Sequence, residues 1–161
     1  GPVTLAAPPG VAVTRVTSAL EMRGAVMERV GAAHVFIGVA AVADYRPVAS
    51  AEHKIKKSGA EMSVTLTPNP DILAEVASLP AAPFCVGFAA ESRDLDDYAT
   101  RKRAAKRLPL LVGNLVQDGL GGDDNLVVLY DDAGRHPLPR ASKAEVARLI
   151  VAHMAALLAA D

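Results

Sequence analysis

Three uninterrupted apolar runs, at residues 34–42, 83–88 and 110–114, limit what this chain can fold into. A strand covered on one face alternates apolar with polar residues. A strand covered on both faces reads as a continuous apolar stretch. Runs of the second kind, separated by helical patterns, point to a parallel sheet held between helices. The intervening segments supply those helices. Ser18 and Glu21 make a capping box that opens a helix to about residue 30, stopping near Gly31. Asn69 as N-cap and Pro70 as first helical residue open a helix to about residue 79. Residues 95–108 form a third helix, rich in Lys and Arg, and Ser142 with Glu145 caps a closing helix to about residue 159. Further strands are expected at 2–6, at the β-branched stretch 11–16 and at the alternating stretch 61–67. Residues 125–130 and 135–138 flank the turn Asp131-Asp132-Ala133-Gly134 and read as a hairpin. The expected fold is α/β: a Rossmann-like three-layer arrangement, a mostly parallel sheet with helices on both faces and a C-terminal antiparallel hairpin, in one domain over residues 1–161.

Composition removes several classes of function. A formal net charge of −1 gives no global field for nucleic acid or a membrane surface, so any anion site is local. No apolar stretch reaches the ~18 residues needed to span a bilayer, and no basic segment precedes an apolar one as in a signal peptide. Cys85 is the single cysteine, so no internal disulfide forms, and a reducing cytoplasm is the plainer setting. Its apolar neighbours Phe84, Val86 and Phe88 mark a buried structural thiol rather than a nucleophile. There is no phosphate-binding G-x-x-x-x-G-K-[ST] loop and no G-x-G-x-x-G after a strand. His34, His53, His136 and His153 are scattered along the chain, without metal-ligand spacing.

Open parallel sheets bind ligands beyond the carboxyl ends of their strands. Here those ends carry Ala43-Asp44-Tyr45, Phe88-Ala89-Ala90-Glu91 and Asn114. The small residues before Asp44 let a flat ligand approach the backbone. Asp44 itself either accepts from a ligand or holds Mg²⁺, or it caps the turn. Lys54-Ile55-Lys56-Lys57 puts three like charges in four residues, which a polyphosphate would neutralise; a solvated basic loop is the other reading. Asn69-Pro70-Asp71-Ile72-Leu73 offers a helix N-terminus to a phosphate or a base, or Asp71 merely complements the helix dipole. Phe88 has a ring suited to stacking on a base or sugar. Lys102 and Lys106, four apart, share one helix face, aimed at phosphate or simply solvated.

Taken in order, these segments resemble the phosphopantothenoylcysteine synthetase family. The matching residues are Ala40-Ala41-Val42-Ala43-Asp44-Tyr45-Arg46-Pro47, Lys54-Ile55-Lys56-Lys57, Asn69-Pro70-Asp71-Ile72-Leu73 and Val86-Gly87-Phe88-Ala89-Ala90-Glu91. Lys102, Lys106, Asn114, the Gly-Asp-Asn stretch before the hairpin and the helix start Ser18-Ala19-Leu20-Glu21-Met22 follow the same pattern. The resemblance implies a CTP-dependent ligase of coenzyme A biosynthesis that joins 4'-phosphopantothenate to cysteine through an acyl-cytidylate. It implies Lys54 as a catalytic flap lysine, and a nucleotide site of Ala43, Asp44, Lys54, Pro70, Asp71, Ile72, Leu73, Phe88, Lys102 and Lys106. It further implies Mg²⁺ with the CTP, a homodimer and a cytoplasmic setting, with no nucleic-acid or membrane partner. The family's pattern opens with a Gly-rich strand–turn–helix and an Asn-x-Ser-Ser-Gly segment, whereas this sequence starts at Gly1-Pro2-Val3-Thr4-Leu5. It therefore reads as N-terminally truncated relative to the family and without the decarboxylase half, to which FMN would belong. Two other readings compete: a nucleotide-binding, dimer-forming fragment without turnover, and a Rossmann-like NAD(P)-binding oxidoreductase domain. The second leaves the lysine cluster without a task.

Overall fold

The computed structural model describes residues 6–49, 51, 53–57, 59, 61–119 and 122–160. In chain order the elements are α1 (Ala19–Met27), a 3₁₀ turn (Val30–Ala32), β1 (Val35–Gly38), β2 (Tyr45–Pro47), β3 (Leu66–Pro68), α2 (Ile72–Ala77), β4 (Phe84–Glu91), α3 (Leu95–Lys106), β5 (Leu110–Leu115), α4 (Val116–Gly119), β6 (Asp124–Asn125), β7 (Val128–Asp131), β8 (Gly134–Pro137), β9 (Ala141–Ser142) and α5 (Lys143–Ala160). They group into two compact units. One is drawn from the residues up to Glu28 and from Ala41–Ile72, the other from Arg29–Ala40 and the residues from Leu73 onward.

The second unit contains a five-stranded sheet in the order β1-β4-β5-β7-β8. β1, β4 and β5 run parallel, with Val35 opposite Phe84 and Val86 opposite Leu110. β7 is antiparallel to β5, and β8 closes a hairpin on β7 with Asp131 opposite Gly134. Because side chains alternate across a strand, Val86 and Gly87 face opposite sides of the sheet. The Val86 side carries the main core: Leu110, Val112 and Leu129 pack with Val146, Ile150 and Met154 of α5. The 3.6-residue period places those α5 positions on one stripe. The Gly87 side receives α2 and α3. There a Cβ at Gly87 would lie 2.7 Å from Leu108 Cδ1 and 2.9 Å from Leu73 Cδ2. Leu95 of α3 meets Gly113 in the same way. The result is the expected helix–sheet–helix layering with a C-terminal hairpin.

The first unit is smaller. Ser18 Oγ accepts from the Glu21 amide (3.2 Å), and Glu21 reaches back to the amide and hydroxyl of Thr17, one residue before the cap. Those bonds hold the Glu21 carboxyl below its ordinary value. β2 and β3 pair antiparallel, Arg46 opposite Thr67.

Several expectations are corrected. Residues 34–42 do not make one central strand. β1 ends at Gly38, where its ladder with β4 ends too, and it is an edge strand with Ile37 41% exposed. Residues 11–16 join no strand among the described residues, and Val11 and Val13 are exposed. β-branched residues favour extension, but a strand also needs a neighbour to pair with. The alternating stretch 61–67 contributes only β3 at its end. α1 stops at Met27, three residues early. α2 starts at Ile72 rather than Pro70, the Asn69 side chain being engaged by Arg46 and Ala43 instead of capping the helix, and it ends at Ala77, two residues early. Asn125 belongs to the short β6–β9 ladder, opposite Ala141, rather than to the hairpin. The strand expected at 2–6 falls, but for Ala6, outside the described residues.

Candidate functional site

In the first unit, Asn69 ties two of the sequence segments together. Its amide donates to the Asp44 carbonyl (2.7 Å), and its side-chain Nδ2 donates to the Ala43 carbonyl (2.8 Å). Arg46 donates to the Pro68 carbonyl and to Asn69 Oδ1 (3.2 Å). Ala43 and Asp44 are thus pinned against the turn that leads to Pro70 and Asp71. The Asp44 carboxylate is exposed, and the bond to this turn is made by its backbone. Pro70 is half-buried and Ile72 buried. Lys54, Ile55, Lys56 and Lys57 are exposed and lie outside regular structure; Ser50 and Ser58, which flank them, are outside the described residues.

In the second unit, Lys102 is committed on one of its protons. Its Nζ donates to the Phe88 carbonyl at 2.9 Å. Phe88 is the first residue of β4 beyond the β1 ladder, and its half-buried ring packs against the α5-side core. Lys106 lies one turn along α3 and is half-buried. Leu73 fills the hollow over Gly38 and Gly87, facing glycines of adjacent strands. Asn114 and Asn125 meet over Gly119: a Cβ there would lie 2.6 Å from Asn114 Nδ2 and 3.0 Å from Asn125 Oδ1. Only glycine permits both amides to approach that backbone. Cys85 is 1% exposed, and burial pushes its thiol up, as a structural cysteine requires.

Two features of this unit were not visible in the sequence. An open cleft of about 650 Å³ lies beyond the carboxyl ends of β4 and β5 and before α3; Arg93, Asp96, Asp118 and Arg135 line it. Asp96 on its wall accepts from the Tyr130 hydroxyl and from Arg135 Nε (2.9 Å). The Tyr130 bond, then Arg135, hold the Asp96 carboxyl below its ordinary value, while burial and Asp96 push Tyr130 up. The signal was the run Asp94, Asp96, Asp97 at a helix start, which reads equally as dipole complement. The second feature corrects the reading of the histidines as scattered: His136 and His153 converge on Asp131. Burial acts to raise the Asp131 carboxyl, but its bonds to the two imidazoles and the Ala133 amide prevail and hold it low.

No helix among the described residues is long and apolar enough to cross a membrane. Residues 1–158 match the model of the family described as the DNA/pantothenate metabolism flavoprotein C-terminal domain. The coenzyme A biosynthesis bifunctional protein CoaBC of Vibrio vulnificus (strain YJ016) is 43% identical over 164 residues, covering 98% of this chain and 41% of that protein. CoaBC of Bacillus subtilis (strain 168) is 40% identical over 162 residues, with 98% and 40% covered. The chain thus spans about two fifths of the length of these relatives. The crystal structure of the C-terminal domain of CoaBC superposes with a TM-score of 0.82 at 31% identity, covering 99% of this chain and 72% of that one. The chain belongs to the DNA/pantothenate metabolism flavoprotein C-terminal domain family.

Proposed function

We propose that the chain is the CTP-dependent ligase part of a coenzyme A biosynthesis enzyme, coupling 4'-phosphopantothenate to cysteine. The observation that carries this reading is the likeness to CoaBC proteins over 98% of the chain. The local geometry agrees with it. Asn69 fastens the small-residue segment Ala43-Asp44 to the Pro70-Asp71 turn, an edge suited to reading a base by backbone groups. Lys102 keeps two further protons for phosphate beyond the one given to Phe88.

The reaction runs in two steps. The substrate carboxylate attacks the α-phosphorus of CTP, and pyrophosphate leaves. The amine of cysteine then attacks the acyl carbon, loses a proton, and CMP leaves. Lys54, on its exposed loop, is a mobile cation for the triphosphate and the acyl-cytidylate; Lys102 and Lys106 add fixed positive charge. Ala43, Asp44, Pro70, Asp71, Ile72, Leu73 and Phe88 complete the nucleotide contacts. Mg²⁺ would enter with the CTP, and the exposed Asp44 carboxylate is a hard oxygen donor of the kind it takes; bound there, it would supply charge neutralisation on the phosphates. A homodimer in the cytoplasm belongs to the same reading. Val11, Val13, Ile55, Met62 and Val64 of the first unit are each more than half exposed, apolar surface that a second copy would cover.

The test is pyrophosphate release by the chain with CTP, Mg²⁺ and 4'-phosphopantothenate, followed by product on adding cysteine. CTP-dependent pyrophosphate that requires phosphopantothenate is expected, with Lys54→Gln slowing it at least tenfold while the melting temperature stays put. Pyrophosphate formed without phosphopantothenate, or none formed by a chain that binds CTP, contradicts the ligase assignment.

A further inference from the structure

We propose that Asp131, His136 and His153 form a binding site for a single divalent transition-metal ion, apart from the residues assigned to the nucleotide. Asp131 ends β7, His136 sits across the hairpin on β8, and His153 projects from α5. His136 Nε2 lies 2.8 Å from Asp131 Oδ1, and His153 Nε2 lies 2.7 Å from Oδ2. The three donor atoms all fall within 4.8 Å of one another, the one such grouping of His, Cys, Asp and Glu among the described residues. The imidazole rings are 4.9 Å apart, tilted by 50°, so both present an edge to the same carboxylate.

The donor set and its surroundings fit a borderline-soft ion. Two imidazole nitrogens and one carboxylate oxygen suit Zn²⁺, Co²⁺ or Ni²⁺ rather than Mg²⁺ or Ca²⁺, which take oxygen. A tetrahedral ion about 2.0–2.1 Å from each donor sets the donors roughly 3.3 Å apart, so the two His–carboxylate contacts open by about half an ångström while the widest pair, now within 4.8 Å, closes by about 1.5 Å. The carboxylate is preset. Its side chain is 3% exposed, and Oδ1 also accepts from the Ala133 and Gly134 amides at 2.8 and 3.1 Å, which fix its orientation as second-layer bonds do in metal sites. The imidazoles remain reachable: the His136 side chain is 36% exposed and that of His153 is 23% exposed. On binding, each neutral imidazole carries its proton on Nδ1 and turns the Nε2 lone pair to the ion; water fills the fourth position. The ion would add a coordinate clamp between the β7–β8 hairpin and α5, which already meet through the Leu129–Val146–Ile150–Met154 core.

The experiment titrates the metal-stripped chain with Zn²⁺ by calorimetry and with Co²⁺ by visible absorption. Expected are one ion per chain, the intense d–d bands of four-coordinate Co²⁺, and slowed amide exchange in the β7–β8 hairpin. His153→Gln and His136→Gln each weaken binding at least tenfold; both positions are partly exposed, and circular dichroism checks that each variant keeps its fold. Absence of saturable uptake, or uptake unchanged in both folded variants, overturns the proposal. Neither result bears on CTP-dependent pyrophosphate release, so this site and the ligase reading fail independently.

Discussion

Replacing Lys102 by Met separates its structural task from its functional one. The side chain is half-buried, and its ammonium gives one of three protons to the Phe88 carbonyl at 2.9 Å. A hydrogen bond from a charged donor contributes about 1.5–3 kcal/mol when buried, and this one is partly solvated, so a loss of about 1 kcal/mol is expected. Met keeps the length and apolar stem, which limits the change to the ammonium. The two remaining protons, if spent on phosphate, contribute roughly 1.4–2.8 kcal/mol to binding, a 10- to 100-fold loss of CTP affinity. Urea denaturation reads the first number and calorimetric titration with CTP and Mg²⁺ the second. A variant destabilised by about 1 kcal/mol that binds CTP as tightly as the parent would show Lys102 to be a strut for β4 and refute its place in the nucleotide site.

Other perturbations probe the frame around that site. Gly87→Ala places a methyl 2.7 Å from Leu108 and 2.9 Å from Leu73 in a buried layer. Both leucines must move, and after allowing for the smaller unfolded-state entropy the urea midpoint should fall by the equivalent of about 1 kcal/mol; an unchanged midpoint would show that layer to be loose. Arg107 closes α3 at φ +52°, a left-handed conformation that glycine adopts without strain, so Arg107→Gly should raise stability by about 1 kcal/mol in the same assay. Asp96 has a folded pKa below its unfolded value. Its contribution is therefore complete above the unfolded value and disappears as pH falls through the lower, folded one. Asp96→Asn should be less stable than the parent above about pH 4 and should converge with it in stronger acid; parallel stability curves across that range would contradict the bond to Tyr130 and Arg135.

The parallel half of the sheet was legible because strands covered on both faces leave continuous apolar runs. The runs around Val86 and Leu111 mark β4 and β5, though β4 continues to Glu91, three residues past the apolar run, and β5 to Leu115, one past it. The hairpin was legible from its turn, and Ser142 caps α5 as its spacing with Glu145 suggests, its Oγ accepting from the Glu145 amide at 3.2 Å. The run at residues 34–42 misled for a physical reason. Apolar residues that continue past an edge strand look, in sequence, like more strand, and only the end of the ladder at Gly38 opposite Gly87 sets the limit, although β4 itself runs on to Glu91. Asn69 misled similarly: its residue type suits an N-cap, but its Oδ1 accepts from Arg46 and its Nδ2 donates to the Ala43 carbonyl, so tertiary contacts claim the side chain. The roles of Lys102 and Phe88 are split between backbone and ring in a way that residue types do not encode, since the carbonyl of Phe88 meets the lysine while its ring joins the core. The Asp131–His136–His153 cluster depends on α5 lying across the hairpin, a contact between residues 22 apart that no local spacing announces.

A cytidine nucleotide recognised by this chain is the claim on which the functional account stands. Calorimetric titration of the chain with CTP in the presence of Mg²⁺, run beside ATP and NADP⁺, tests it most directly. Saturable binding of one CTP per chain, weakened by Lys102→Met and with no comparable uptake of the other two, is the result the account predicts. No saturable CTP binding, or tighter binding of NADP⁺, would contradict it.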